Sequence, residues 1–317
     1  MKNLKIAITG AAGNLGNLLA QALIDKNLHL LYHKKEVAEN LQNRTNISLF
    51  QVDLAKKETL VDSLAEVDVV VHFAGVLFKA RTEKFLPTTN TQYFKNLLDI
   101  AVQQRVKRII LISFPHVEGE TFPNNPACGK LTGNPQSAHA RTRLEEEKML
   151  FEYSKNGDFE AVVLRVGMVY GKGILMIDAA QWFARHYLLG VWKKPTYIHL
   201  ISKNDFVNAT IAAIEKPDIQ GIYHLGDDGV QTLQQFLGDI TAFEGNHRPW
   251  RMPMWLILTA AGCFEFISLI FNVKSPLTVD FVRIGSTSYY GDTARMRRDL
   301  LPELQYKTYK EGIVNIT

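Results

Sequence analysis

Thr9-Gly10-Ala11-Ala12-Gly13-Asn14-Leu15-Gly16 joins an apolar run, residues 5–9, to an amphipathic one, residues 15–26. Glycines at three-residue spacing let a chain turn sharply after a strand, approach an anion with bare backbone, and pack the next helix close to the sheet. A helix that begins here offers free N–H groups and the positive end of its dipole, a combination suited to a pyrophosphate. Further apolar runs at 28–32, 47–52, 67–73, 108–113 and 161–165 are short and rich in Val, Ile and Leu, as buried parallel strands are. Helix-like runs at 57–64, 90–105 and 138–154 alternate with them. Strand and helix alternating in this way predict an α/β fold, a doubly wound parallel sheet of the Rossmann type that binds a dinucleotide at the glycine loop.

Outward from that loop the pattern loosens. Residues 1–170 read as the nucleotide lobe, with segments at about 197–226 returning to the sheet through strands near 197–201 and 221–225. A smaller C-terminal substrate lobe is expected from 171–196 and 227–317, with a helix at 178–189. The stretch 115–135, with four prolines, reads as a long loop of the kind that carries function. A net charge of +4, without a long basic run, argues against nucleic acid as a partner. Cys128 and Cys263 lie far apart and lack metal-ligand spacing, so neither a disulfide framework nor a metal site is expected. The first residues lack the apolar core of a secretory leader, which predicts a cytoplasmic protein. Residues 254–271 are almost wholly apolar, broken by Gly262, Glu265 and Ser268. That length is at the lower edge of a membrane span and a mid-stretch glutamate is costly in lipid, so a buried or substrate-lining helix is expected, with peripheral membrane contact as the alternative.

The second strand run ends in His33-Lys34-Lys35, with no carboxylate before Glu36. An acid at that place would hold a ribose 2′-hydroxyl, whereas basic side chains accept a 2′-phosphate, so NADP is expected, with NAD as the alternative. Asp53 and Leu54 come after the third strand and are placed to reach an adenine, although Asp53 could equally cap the next helix. Phe73, Ala74 and Gly75 form a tight turn after the fourth. With Gly10, Ala12, Gly13, Asn14, Leu15 and Gly16, these make up the expected cofactor shell.

Thr9–Gly16, Val70-Val71-His72-Phe73-Ala74-Gly75, Asn90 and Leu164-Arg165-Val166-Gly167-Met168-Val169-Tyr170-Gly171 together resemble the extended short-chain dehydrogenase/reductase family, with Val166 where proline is usual. Met252-Pro253-Met254-Trp255, the apolar run after it, Pro276-Leu277-Thr278 and the segment Gly291-Asp292-Thr293-Ala294-Arg295-Met296-Arg297-Arg298-Asp299-Leu300 are similar to its 3β-hydroxysteroid dehydrogenase branch. The resemblance implies an NAD(P)-dependent oxidoreductase acting on a hydroxyl or ketone of a largely apolar small molecule. It also implies that Asn90 belongs to the cofactor site, and that dimers form through the helices at 90–105 and 138–154.

The family's reaction uses a serine and a Tyr-x-x-x-Lys pair. Alignment of His139-Ala140-Arg141-Thr142-Arg143-Leu144-Glu145 places His139 at the tyrosine and Arg143 at the lysine, with Phe114 at the serine and Ser113 one position earlier. No tyrosine lies between Tyr93 and Tyr153 to restore the motif. Histidine exchanges protons near neutral pH, and arginine can donate to a ribose hydroxyl from the same helical face, so a His139–Arg143 pair is chemically workable. Ser113 or His116 would orient the substrate carbonyl. The alternative from another class is a catalytically silent NADP(H)-binding sensor or assembly protein. A sugar-nucleotide epimerase or dehydratase is a further alternative, and it too would need the absent tyrosine.

Other residues have plainer readings. His72 reads as a satisfied core histidine, Asp205 as a structural cap, and Glu145, Glu146 and Glu147 as a solvated helix face. Trp182, Phe183, Tyr187 and Trp192 read as core, or as the lining of an apolar cavity.

Overall fold

The computed structural model describes residues 4–76, 81–157, 159–243, 245, 248–271, 275 and 277–313. Pro276, part of the branch resemblance, lies outside the described residues. Seven strands form one parallel sheet: β1 (Lys5–Thr9), β2 (Asn27–Tyr32), β3 (Ile47–Gln51), β4 (Val69–His72), β5 (Arg108–Ser113), β6 (Glu160–Val166) and β7 (Gly221–Leu225). Their spatial order is β7-β6-β5-β4-β1-β2-β3. Side chains alternate across each strand, so Ile6 and Ile8 enter one core cluster while Ala7 enters the other. Both faces of the sheet are therefore covered, as the near-continuous Val/Ile/Leu runs require.

Strand order reverses between β1 and β4, and this opens a crevice at their C-terminal ends, the switch point where open α/β sheets take ligands. The turns after β1 and β4 meet there: the amides of Phe73 and Ala74 donate to Thr9 O and Thr9 Oγ1, each at 3.3 Å. Around the sheet lie α1 (Asn14–Ala22), α2 (Tyr93–Gln103), α3 (Ala138–Gly157) and, later in the chain, α4 (Leu175–Arg185) and α5 (Lys203–Glu215). Toward the C-terminus come α6 (Met254–Phe271) and the short α7 (Val279–Gly285).

Several expected elements differ. The 57–64 helix is two separate 3₁₀ turns, Lys57–Thr59 and Asp62–Leu64. The Thr59 hydroxyl donates toward the carbonyls of Asp53 and Lys56 and accepts the Asp53 amide, a local network that competes with a helical ladder. Asn90 lies in a π-helical turn, Pro87–Gln92, and the helical path begins earlier, at Thr82–Leu86. Only Gly221–Leu225 rejoins the main sheet. Tyr197–Ile198 pairs with Gln231–Thr232, and Leu200–Ser202 pairs with Met168–Tyr170, each in a small sheet of its own. The 115–135 stretch is laced to the C-terminal segment, with Thr121 and Ala127 amides donating to the Ser288 and Tyr290 carbonyls at 3.0 and 2.8 Å. The largest departure is α6. Expected to be buried, it exposes most of its surface: only Ile257, Ala261 and Ser268 are buried.

Candidate functional site

Gly10 adopts φ +68°, a left-handed conformation that costs glycine nothing, and a Cβ there would lie 3.1 Å from the Ala74 nitrogen. A Cβ on Gly16 would collide with the Gly10 carbonyl oxygen. The loop is therefore as tight as its glycines permit. Helix α1 starts immediately after Gly13, its N-cap, which has no side chain to spend on the free amides. No acidic residue occupies the first turn to repel an anion. A concave cradle of free N–H groups at a switch point fits the diphosphate of a dinucleotide. Ala12 and Leu15 are half-buried against the core, which anchors the loop.

The other expected cofactor residues divide into two groups. Phe73, Ala74 and Gly75 adjoin the glycine loop, and Arg143 joins them by donating from Nη2 to the Ala74 carbonyl at 3.1 Å. His33, Lys34 and Lys35 are exposed just beyond β2, the strand next to β1, and Gln51 holds the His33 carbonyl at 3.0 Å. Asn14 is committed elsewhere: its side chain donates to Gly173 O at 2.7 Å and accepts the Leu175 amide at 3.1 Å, tying α4 to the glycine loop. Asp53 accepts from the Ala55 amide at 3.1 Å and shapes its own turn, while the Leu54 carbonyl is held by Asn96. Asn90 donates to the Thr142 hydroxyl at 3.0 Å and so braces α3 one turn after His139.

Helix α3 carries the proposed reacting side chains, and Ser137 caps it by accepting the Ala140 amide. His139 is buried, with Nδ1 2.7 Å from Asp280 Oδ2 and Nε2 3.1 Å from the Val76 carbonyl. The Asp280 carboxylate and the Val76 carbonyl thus flank the ring, one at each nitrogen. Arg143 pairs through Nη1 with Glu146 at 2.7 Å. Glu146 is fully buried with Oε1 unbonded, and burial pushes its carboxyl up to about 7 against the pull of Arg143. Ser113 donates to Glu147, whose carboxylate also accepts from Arg165, a fully buried cation. Arg165 further reaches Glu118 and the Lys130 carbonyl. Burial would raise the Glu118 carboxyl, but His224 and Arg165 outweigh it and hold it at about 2. His116 donates to Thr287 O at 3.0 Å, and burial of its ring lowers it to about 4.

Two readings need correction. Glu146 and Glu147 are not a solvated face: both are buried and paired, and only Glu145 is exposed. Trp182 and Tyr187 are exposed, so neither is core, although Trp192 is. His72 is buried with Nδ1 on the Thr9 hydroxyl, and Asp205 completes a helix cap with Ser202. Sequence reasoning missed Asp280, Glu118 and the role of Arg165. A lone arginine ending the apolar strand β6 was the available signal for Arg165. Asp280 is 141 residues from His139 and had none. Among the described residues no group of three or more His, Cys, Asp or Glu side chains could hold a metal ion.

Comparison with known proteins agrees with this architecture. UDP-glucose 4-epimerase of Vibrio cholerae is 25% identical over 297 residues, covering 89% of each chain. The decarboxylating sterol-4-alpha-carboxylate 3-dehydrogenase of Dictyostelium discoideum is 20% identical over 331 aligned positions, spanning 96% of this chain and 98% of that protein. The structure of dTDP-glucose 4,6-dehydratase from Streptomyces venezuelae, with NAD and TYD bound, superposes with a TM-score of 0.79 at 16% identity over 99% of this chain and 96% of that one. The sequence model of the NAD-dependent epimerase/dehydratase family matches residues 6–226, a span that holds the glycine loop, nearly the whole seven-stranded sheet and α3. The chain therefore belongs to the NAD-dependent epimerase/dehydratase family.

Proposed function

We propose that this protein is an NADP-dependent oxidoreductase acting on a hydroxyl or ketone of a largely apolar small molecule, with His139 as its proton-exchanging group. The observation that carries the reading is the buried His139–Asp280 pair at 2.7 Å, on the helix that also sends Arg143 to the Ala74 turn. A carboxylate at Nδ1 accepts the proton carried there and fixes the ring's orientation, which leaves Nε2 as the nitrogen that exchanges a proton with substrate. In that role Nε2–H moves from the Val76 carbonyl to a substrate oxygen. The chemistry that a bound nicotinamide dinucleotide supplies is hydride transfer. Lys34 and Lys35, exposed past β2 with no acid before Glu36, support a 2′-phosphate on the adenine ribose. Arg143 and the Gly10–Gly16 cradle are the groups that would hold the dinucleotide. The likeness to a sterol dehydrogenase along nearly the whole chain supports an apolar substrate.

A second reading, a silent NADP(H)-binding protein, has its own support: the Ser113 hydroxyl is spent on Glu147, and both ring nitrogens of His139 are spent on protein acceptors. Purified protein incubated with a panel of apolar ketones is expected to consume NADPH faster than NADH. His139→Ala should lower that rate at least about a hundredfold while NADPH still binds. NADPH binding without consumption, unchanged in the variant, would favour the silent reading.

A further inference from the structure

We propose that the exposed side of α6 seats this protein on the surface of a bilayer containing anionic lipid, with the helix lying in the interface rather than crossing it. The helix has 18 residues and a mean hydropathy of 1.9, yet only three of them are buried. Ile257, Ala261, Glu265 and Ser268 recur at four-, four- and three-residue steps, so they line a single stripe. The three apart from Glu265 are the buried residues of the helix, and Glu265 accepts the Val279 amide at 2.9 Å. That stripe fixes α6 to the protein along its length, which suits a helix lying flat. Outside the stripe, Trp255 is 66% exposed, Phe266 65% and Phe271 69%. A continuous exposed apolar surface of this kind marks an interaction site.

Charge around the patch selects the occupant. Trp250–Met252 pairs with Gly190–Trp192, which sets Arg251 opposite Val191, on a strand that runs directly into Lys193 and Lys194. Trp250 donates from its indole to the Tyr187 carbonyl, so the segments 182–194 and 248–271 form one surface. Together they hold five basic side chains, Arg185, Lys193, Lys194, Arg248 and Arg251, all exposed. Glu265 is their single acid, and it is turned onto Val279. Apolar and aromatic residues rimmed by Lys and Arg are what an interfacial helix presents to anionic headgroups. Tryptophans 250 and 255, near the start of the helix, have the amphipathic rings that favour the headgroup level. The inference rests on exposure and charge and holds whether or not His139 transfers a proton. The helix is nevertheless linked to the candidate site, because Asp280, the His139 partner, is the residue directly after Val279.

The test is flotation of the full chain with vesicles of phosphatidylcholine containing about a quarter phosphatidylglycerol, compared with phosphatidylcholine alone. The protein should float with the anionic vesicles, less so at high salt, and Trp255→Glu with Phe266→Glu should weaken binding at least about tenfold. Arg251→Glu with Lys194→Glu should abolish the preference for anionic lipid. Quenching of the unaltered protein's tryptophan fluorescence by vesicles brominated near the headgroup needs no variant and should be strong. No flotation and no quenching would overturn the proposal. So would a solution dimer that Trp255→Glu with Phe266→Glu makes monomeric while flotation is unchanged, since the patch would then be a contact between copies of this chain.

Discussion

Arg165 shows how much a single side chain organises. It is fully buried at the C-terminal end of β6, and its guanidinium gathers Glu147 and Glu118. Removing one partner of a buried ion pair strands the others in a poorly polarisable interior. Arg165→Met should therefore destabilise the fold by about 3–5 kcal/mol, measured by urea denaturation, and a loss below about 1 kcal/mol would mean that water reaches the carboxylates. The identity of Arg165 was plain in the sequence, but its partners were not. Glu147 lies 18 residues before it and Glu118 47 before it, and three adjacent glutamates on a helix look alike until burial separates them. The same holds for His139, which local alignment singled out although Asp280 could not be seen.

At the scale of elements, the junction of β1, the glycine loop and α1 was fully legible, because its constraint is local. The chain must turn within a few residues, and only glycine allows the close approaches at positions 10 and 16. Gly16→Ala should push α1 away from Gly10 and weaken NADPH affinity at least about tenfold with helix content unchanged, read by fluorescence titration and circular dichroism. Unchanged affinity would mean that the dinucleotide does not depend on this loop. Helix α6 shows the opposite case. Its length and apolar character were evident, yet its exposure was misjudged, since a helix hydrophobic all round suits a core and a lipid surface equally. Which of its faces meets protein depends on Val279 and on the strand at Gly190–Trp192, both outside the helix itself. The 57–64 segment failed as a helix for a different reason, a threonine hydroxyl competing for the backbone.

The whole molecule should reveal its buried titrating groups in its stability against pH. Burial lowers His116 and His199 from 6.5 to about 4, so their contribution is present above pH 6.5 and is lost as pH falls toward 4. Burial raises Glu146 from 4.5, and Asp227 from 3.8, to about 7, so theirs is present at low pH and is lost as pH rises to 7. The two pairs oppose each other between about pH 4.5 and 6.5, but burial also lowers His29 and, well below its ordinary range, His72, so the histidines prevail and a gentle decline in melting temperature is expected as pH falls through that window. Below pH 4.5 Glu118, held at about 2, adds its loss to the remaining histidine loss, and stability should fall steeply. Thermal melts from pH 3 to 8 check this course. A steep decline already between about pH 7 and 5 would show that the buried carboxylates do not offset the histidines.

Periodicity and glycine spacing were sufficient for the parallel sheet, the diphosphate cradle and the place of His139 and Arg143 on one helix, because each arises from neighbours in the chain. Long-range packing alone set the Asp280–His139 pair, the burial of Glu146 and Glu147 around Arg143 and Arg165, and the outward side of α6. Some of these residues are near neighbours in the chain, as Arg143 and Glu146 are, and others lie more than a hundred positions apart, as His139 and Asp280 do; but burial, which determines whether a charge is paired or solvated, exists only once the segments have come together.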